Sequence, residues 1–362
     1  MSVPTVMIAC PNIQSALDQN FMTDSGNLFD SAPLFEFLNS PLNRSGYSTR
    51  VAPGQGKIRT VELMYEQRIL ESEVTEPGTD YTCAATTKRG NLATTCTIDP
   101  LDYLQAEELI EDTDFTYICE ANEAVIARKI NKLITALEAK CATRVTNQAI
   151  ALIGNVSDDI ATANKVTVGG VPFFKVSTEK SDGSVDPRAV SKINFFKMQS
   201  NYLAPAPIFG SDMYQYYQLM QSGCCSNEGL NIADILAKYG TAVMYDRRVN
   251  AALASFAGGG STGNDLAFMA LPGALQIVWY VKNDNGIAES AGILQGTNYQ
   301  KRVISSPRFG FPIDLTMQDN CGSVSLIVRA NPKVCGLPSD LFAPSDHMNG
   351  VTYVNGIKIV NS

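Results

Sequence analysis

The chain has 362 residues and a net charge of −8, with 28 Lys plus Arg against 36 Asp plus Glu, so it is long enough for two or three compact units around a substantial core. The acidic balance argues against a dedicated nucleic-acid-binding surface and against a polybasic membrane anchor. Charged residues make up only 18%, below the usual quarter or so, which leaves much of the surface to Ser, Thr, Asn, Gln and Gly.

Residues 1–53 mix short apolar stretches with Asn, Ser, Pro and Gly and read as an arm with one short helix near 31–39. From Gly54 the pattern turns to β. Val61, Leu63 and Tyr65 alternate with Thr60, Glu62, Met64 and Glu66, and turn signals at 76–80 and 88–91 lead into Leu92–Ile98. An isolated hairpin of this kind is marginal in water and needs a neighbour. Asp99-Pro100 reads as the opening of a helix with Leu101, Leu104, Leu109 and Ile110 on one side and Glu107, Glu108, Glu111 and Asp112 on the other.

The strongest helical signal is 120–153, where Ile126, Ile130, Leu133, Ile134, Leu137, Cys141, Val145, Ala149 and Leu152 recur at steps of three and four before Gly154. At about 1.5 Å per residue this is a rod of roughly 50 Å. Strand signals at Lys165–Val168 and Phe173–Val176 and a helix at Pro187–Gln199 follow, and Pro205 and Pro207 mark a boundary. Helices are predicted over Asp212–Gln221 and Ile232–Leu253, and strands over Leu266–Met269 and Ala274–Val281. Ile313, Leu315 and Met317 alternate into a turn at 319–322, and Val324, Leu326 and Val328 alternate back. Val351–Val354 and Ile357–Val360 flank Asn355-Gly356, which predicts a two-residue hairpin.

Candidate chemistry is sparse. The only histidine, His347, lies in a polar stretch and reads as a solvated loop residue, so most triads and imidazole metal sites are excluded. Nine cysteines, with no C-x-x-C pair, support neither a zinc ribbon nor a closed disulfide framework and read as reduced, mostly buried thiols. Cys224-Cys225 reads as a packing or intersubunit pair. The glycine-rich segment from Gly258 to Gly263 has the spacing of a phosphate-binding loop, but Asn264 and Asp265 follow where Lys and Ser/Thr are needed, so it reads as a surface loop. Glu107, Glu108, Glu111, Asp158 and Asp159 read as solvated charges, and Arg247-Arg248 as an exposed helix face or a partner contact. The N-terminus lacks a signal-peptide pattern and no apolar run reaches 18 residues, so synthesis in a cytoplasm and no membrane span are expected.

Three stretches carry a resemblance: Ile232-Ala233-Asp234-Ile235-Leu236 with the helix to Leu253, Thr262–Tyr280 with its Pro272-Gly273 turn, and Phe309-Gly310-Phe311-Pro312-Ile313-Asp314-Leu315. With the order of elements they resemble the major capsid proteins of tailed bacteriophages, whose shell fold is shared with encapsulins. The resemblance implies an α+β fold with an N-terminal arm (1–53), an extended β-hairpin loop (54–98) and a peripheral domain (99–204) holding a spine helix (120–153). It further implies an axial domain (205–300), peripheral return strands (301–336) and a C-terminal tail hairpin (337–362).

The implied role is structural, with no enzymatic activity, no cofactor and no metal. Copies would self-assemble as hexamers and pentamers of an icosahedral shell that encloses double-stranded DNA without binding it specifically. The partners implied are the chain itself and scaffolding, portal and decoration proteins, with no membrane. The implied place is the virion, assembled in the host cytoplasm. No charged helical prefix precedes the arm, which implies a separate scaffolding protein or none. Intersubunit contacts are expected at Val61, Leu63, Tyr65, Lys57, Lys88, Arg89, Arg247 and Arg248. Some relatives join a Lys to an Asn covalently, and Lys57 and Lys88 lie on the loop where that Lys would stand. Two other readings are an encapsulin-like compartment, disfavoured by the long arm, and a cytoplasmic metabolic enzyme.

Overall fold

The computed structural model describes residues 31–40, 43, 48–51, 59–66, 91–99, 101–111, 122–186, 188–200, 202, 206–221, 242–280, 299–319, 323–336 and 353–360. The expectations for His347, Cys224-Cys225, Lys57, Lys88, Arg89, Asp112, the turn at 76–80 and the first three residues of the turn at 88–91 lie outside those residues. The described fold is α+β, with three sheets.

The first sheet is antiparallel and three-stranded, in the order β1 (Ser48–Val51), β2 (Arg59–Glu66), β3 (Asn91–Ile98). Its two long strands are those expected from the alternation around Val61 and Leu92, paired with Val61 opposite Cys96 and Tyr65 opposite Leu92. Among the described residues these strands pair only with one another.

The helix expected after Asp99 is instead strand β4 (Leu104–Glu111). Leu104, Ala106, Glu108 and Ile110 face inward and Gln105, Glu107, Leu109 and Glu111 outward, a period of two that Leu104, Ala106 and Ile110 satisfy and Leu109 does not. Tertiary pairing decides between the periods, because β4 lies in antiparallel register along β13 (Ser323–Gly336), with Ile110 opposite Val324 and Leu104 opposite Ala330.

The spine helix follows as α2 (Asn122–Ile150), 29 residues or about 44 Å. It buries Ile130, Ile134, Leu137, Cys141, Val145 and Ala149 at the expected steps of three and four. That face packs on β13 and β4. The sheet beneath runs β10 (Leu275–Tyr280), β13, β12 (Pro312–Asp319), β11 (Tyr299–Ser305), with β4 also on β13.

The third sheet has six strands in the order β5 (Lys165–Val168), β6 (Val171–Ser177), β14 (Val354–Val360), β9 (Leu266–Ala270), β7 (Ile208–Phe209), β8 (Val243–Met244). Helix α3 (Arg188–Gln199) packs on β6, and α4 (Ser211–Gln221) and α5 (Arg247–Ala257) pack on β9. One hydrophobic core runs through both large sheets, from Leu34 and Phe35 to Ile357 and Ile359.

Two further expectations are corrected. The helix expected over 232–253 is interrupted in its described part: Val243-Met244 is a strand, and α5 starts only at Arg247, after the N-cap Asp246, and runs to Ala257. The tail hairpin at Asn355-Gly356 is absent from the described residues. The chain passes straight through that pair as β14, between β6 and β9 in the six-stranded sheet. Strands β5, β6 and β14 share a sheet with β7, β8 and β9, while β10 belongs to the sheet under α2.

Candidate assembly surfaces

The N-terminal segment is keyed into the body. Helix α1 (Pro33–Asn39) has proline in its first turn and buries Leu34, Phe35 and Leu38. Phe35 packs edge-on against Phe309, 4.7 Å between centroids, and against Phe311 and Trp279, which stack on each other at 4.2 Å. Its neighbour Glu36 pairs with Arg308 at 3.0 Å. One helix from before the three-stranded sheet thus fills a socket made by the 306–311 turn and β10.

Asp246 serves both ends of this contact. Oδ1 accepts from the Arg248 amide at 2.9 Å and caps α5, while Oδ2 accepts from the buried Leu34 amide at 3.2 Å. Past α1, the fully buried Asn43 spends its side chain on three backbone groups: Nδ2 donates to the carbonyls of Leu38 (3.0 Å) and Leu275 (2.7 Å), and Oδ1 accepts from the Gly273 amide at 2.8 Å.

Downstream, β3 is tied to the body by a disulfide between Cys96 and Cys335, with a Cα–Cα distance of 6.0 Å. This corrects the expectation of reduced thiols at these two positions. A separation of 239 residues, between strands of different sheets, leaves no spacing signal in the sequence. Cys141 is a free, buried thiol on α2 and burial pushes it up to about 12. Near the bridge, Asn331 Nδ2 donates to the Asp99 carbonyl at 2.8 Å.

Of the residues expected at subunit contacts, Val61, Leu63 and Tyr65 lie along β2, the central strand of the three-stranded sheet. Arg247 and Arg248 begin α5, where the Arg248 guanidinium donates to the Ser31 carbonyl at 3.0 Å. The structure therefore brings Arg248 to the arm of its own chain.

The glycine-rich loop borders a shallow open cleft of about 450 Å³, lined by residues that include Val166, Gly258, Ser261, Asp265 and Lys358. Gly258, Gly259 and Gly260 all take positive φ, the conformation that favours glycine. Lys358 is ion-paired to Asp265. Asp212 has its carboxyl pushed up, by burial first and then by the nearby Asp265 charge, with Lys358 opposing. A lysine already committed to a carboxylate, beside a second carboxylate, disfavours an anionic ligand. Among the described residues no group of three His, Cys, Asp or Glu side chains could hold a metal, and no helix is long and apolar enough to cross a membrane.

Lys301, Asp314, Glu138 and Lys197 are ionisable side chains in the interior around the two large sheets. Lys301 and Asp314 form an ion pair at 2.9 Å, 6% and 5% exposed, diagonally across β11 and β12. Glu138 on α2 accepts from the Ser306 hydroxyl, and burial pushes its carboxyl up against the lowering effects of Ser306 and Arg308. Lys197 donates to the Ala206 carbonyl at 3.1 Å, and burial lowers its ammonium to about 8.

The chain matches no family model and no curated protein. Among solved structures it is similar to a chain of the cyanophage A-1(L) capsid asymmetric unit, at 11% identity over 93% of this chain and 95% of that one, with a TM-score of 0.49. It is also similar to a chain in the asymmetric unit of the bacteriophage PhiM1 mature capsid, at 10% identity over 85% and 83% with a TM-score of 0.41. A third is a chain from the capsid of Ralstonia phage GP4, at 10% identity over 84% and 83% with a TM-score of 0.39.

Proposed function

We propose that this chain is the major capsid protein of a tailed bacteriophage, a structural subunit that closes with copies of itself into hexamers and pentamers of an icosahedral shell around double-stranded DNA. The observation that carries the reading is the three-stranded sheet over 48–98, which among the described residues pairs with no strand outside itself. Open strand edges invite pairing with another chain, and a repeated subunit gives each edge a defined neighbour. The order of the remaining parts supports the same reading: a keyed N-terminal helix, a long helix across one sheet, and a second sheet flanked by helices.

In that reading the 48–98 sheet reaches over an adjacent copy, with Val61, Leu63, Tyr65, Lys57, Lys88 and Arg89 at the contact and Arg247 and Arg248 at another. The sheet under α2 is peripheral and the six-stranded sheet is axial. Scaffolding, portal and decoration proteins would be the further partners, and the virion the place of action after assembly in the host cytoplasm. An acidic chain suits a container that holds DNA without gripping it.

Size-exclusion chromatography with negative-stain microscopy of the purified chain tests this. Capsomers or closed particles are expected; a stable monomer of 39.1 kDa at every concentration overturns it.

A further inference from the structure

We propose that Cys96–Cys335 is a redox-set clasp that fixes the three-stranded β1–β3 sheet to the body, closing by exchange with an oxidised low-molecular-weight disulfide. The two cysteines belong to different sheets: Cys96 lies in β3, opposite Val61 of β2, and Cys335 lies in β13, opposite Gln276 of β10. No strand ladder joins those sheets among the described residues. Two ties sit together at the foot of the sheet, the disulfide and the Asn331–Asp99 hydrogen bond. With the disulfide open, the foot keeps that hydrogen bond and the burial of Ile98, and β3 loses its covalent anchor at Cys96. With it closed, two anchor points three residues apart along the strand set the angle of the sheet.

The surroundings suit a bond that persists once made. Both cysteines are 6% exposed, and Val278 packs over them. A dissolved reductant reaches the sulfurs only when the foot of the sheet lifts. Cys141, the free thiol among the described residues, is buried in α2 and held protonated at neutral pH, so it is a poor nucleophile for reopening the bond.

The closing step balances. The thiolate of one cysteine attacks a sulfur of the small disulfide RSSR, its S–S bond breaks, and the departing RS⁻ takes up the proton that the cysteine released. The second cysteine's thiolate then attacks the protein sulfur of the mixed disulfide and expels the second RS⁻, which is protonated in the same way. Two cysteine thiols are oxidised and one RSSR is reduced to two RSH. Resting on the shell reading, the clasp would be open during synthesis in a reducing cytoplasm and closed in an oxidising exterior.

The test uses the full unassembled chain, so its outcome is separate from that of the shell reading. One sample is treated with glutathione disulfide, one with a non-thiol phosphine, and Cys96→Ser and Cys335→Ser are treated with glutathione disulfide. Non-reducing peptide mass spectrometry is expected to find the Cys96 and Cys335 peptides joined only in the oxidised wild type. Amide hydrogen exchange in β2 and β3 is expected to be roughly tenfold faster in the reduced chain and in both variants, with α2 and β12 unchanged. If the variants do not fold, reduced against oxidised wild type decides alone. Absence of the joined peptide, unchanged exchange in β2 and β3, or an equal rise in α2 and β12 overturns the proposal.

Discussion

Gly356 lies against the face of Phe173 so closely that a Cβ at position 356 would collide with three atoms of the ring. Both residues are buried, with β14 running parallel to β6 at this point. The ring cannot retreat, because Phe173 is fully buried in the main core. Gly356→Ala is expected to destabilise the chain by about 3 kcal/mol through overpacking, read by urea denaturation. Adding Phe173→Leu, which removes the ring, should recover part of that loss. Equal stability of Gly356→Ala and wild type would refute the steric account.

The same glycine explains where sequence reading stops. Asn355-Gly356 has the composition of a hairpin turn, yet Gly356 is needed for close approach and Asn355 for polar pairing, since its Oδ1 accepts from the Tyr202 hydroxyl and its Nδ2 donates to the Asn155 carbonyl at 3.2 Å. Local composition cannot tell a turn from a buried crossing. Asp99 shows a similar ambiguity. Its carboxylate accepts from the Leu101 amide at 2.8 Å, as a helix cap would, but only one turn follows before β4. Periodicity was sufficient where it was long or unambiguous, as in α2 and in the alternation of Ile313, Leu315, Leu326 and Val328. It failed before Asp246, where Val243-Met244 is a strand and α5 starts only after that cap. The socket around Phe35 and the Cys96–Cys335 bridge join segments more than 200 residues apart, for which the sequence carries no local signal.

Asn43 is the polar keystone of the arm. Asn43→Ala leaves the Gly273 amide without its acceptor and the Leu38 and Leu275 carbonyls without this donor, and a loss on the order of 3 kcal/mol is expected. Asn43→Asp keeps the acceptor for Gly273 but sets a carboxylate against two carbonyls, so it should be no better than alanine. Chemical denaturation checks both, and a change within about 0.5 kcal/mol for either would show that this network contributes nothing.

The Lys301–Asp314 pair separates the value of an ion pair from the penalty of breaking one. Asp314→Asn leaves a buried ammonium without its charged partner and is expected to destabilise by about 3 kcal/mol. Replacing both, as Lys301→Met with Asp314→Leu, removes the desolvation penalty together with the attraction and should lie closer to wild type than the single change. Thermal unfolding of the three variants gives the ordering, and a double variant less stable than Asp314→Asn contradicts it.

Glu138 should make stability depend on pH in a direction that its environment dictates. Burial raises its carboxyl above the ordinary 4.5, outweighing the Ser306 hydrogen bond and the Arg308 charge that act the other way. An acid whose pKa is higher in the fold than in the unfolded chain binds more protons when folded. Its stabilising contribution is therefore present at pH below 4.5 and is lost as pH rises through the raised value. Glu138→Gln keeps an oxygen to accept from Ser306 without carrying the charge. At pH 7 it is expected to be more stable than wild type by on the order of 1 kcal/mol, with the difference shrinking as pH is lowered towards 4.5. Denaturation curves of both proteins between pH 4.5 and 8 check the sign. A wild type more stable than Glu138→Gln at pH 7 would mean that Arg308 and Ser306 stabilise the carboxylate by more than its burial opposes it.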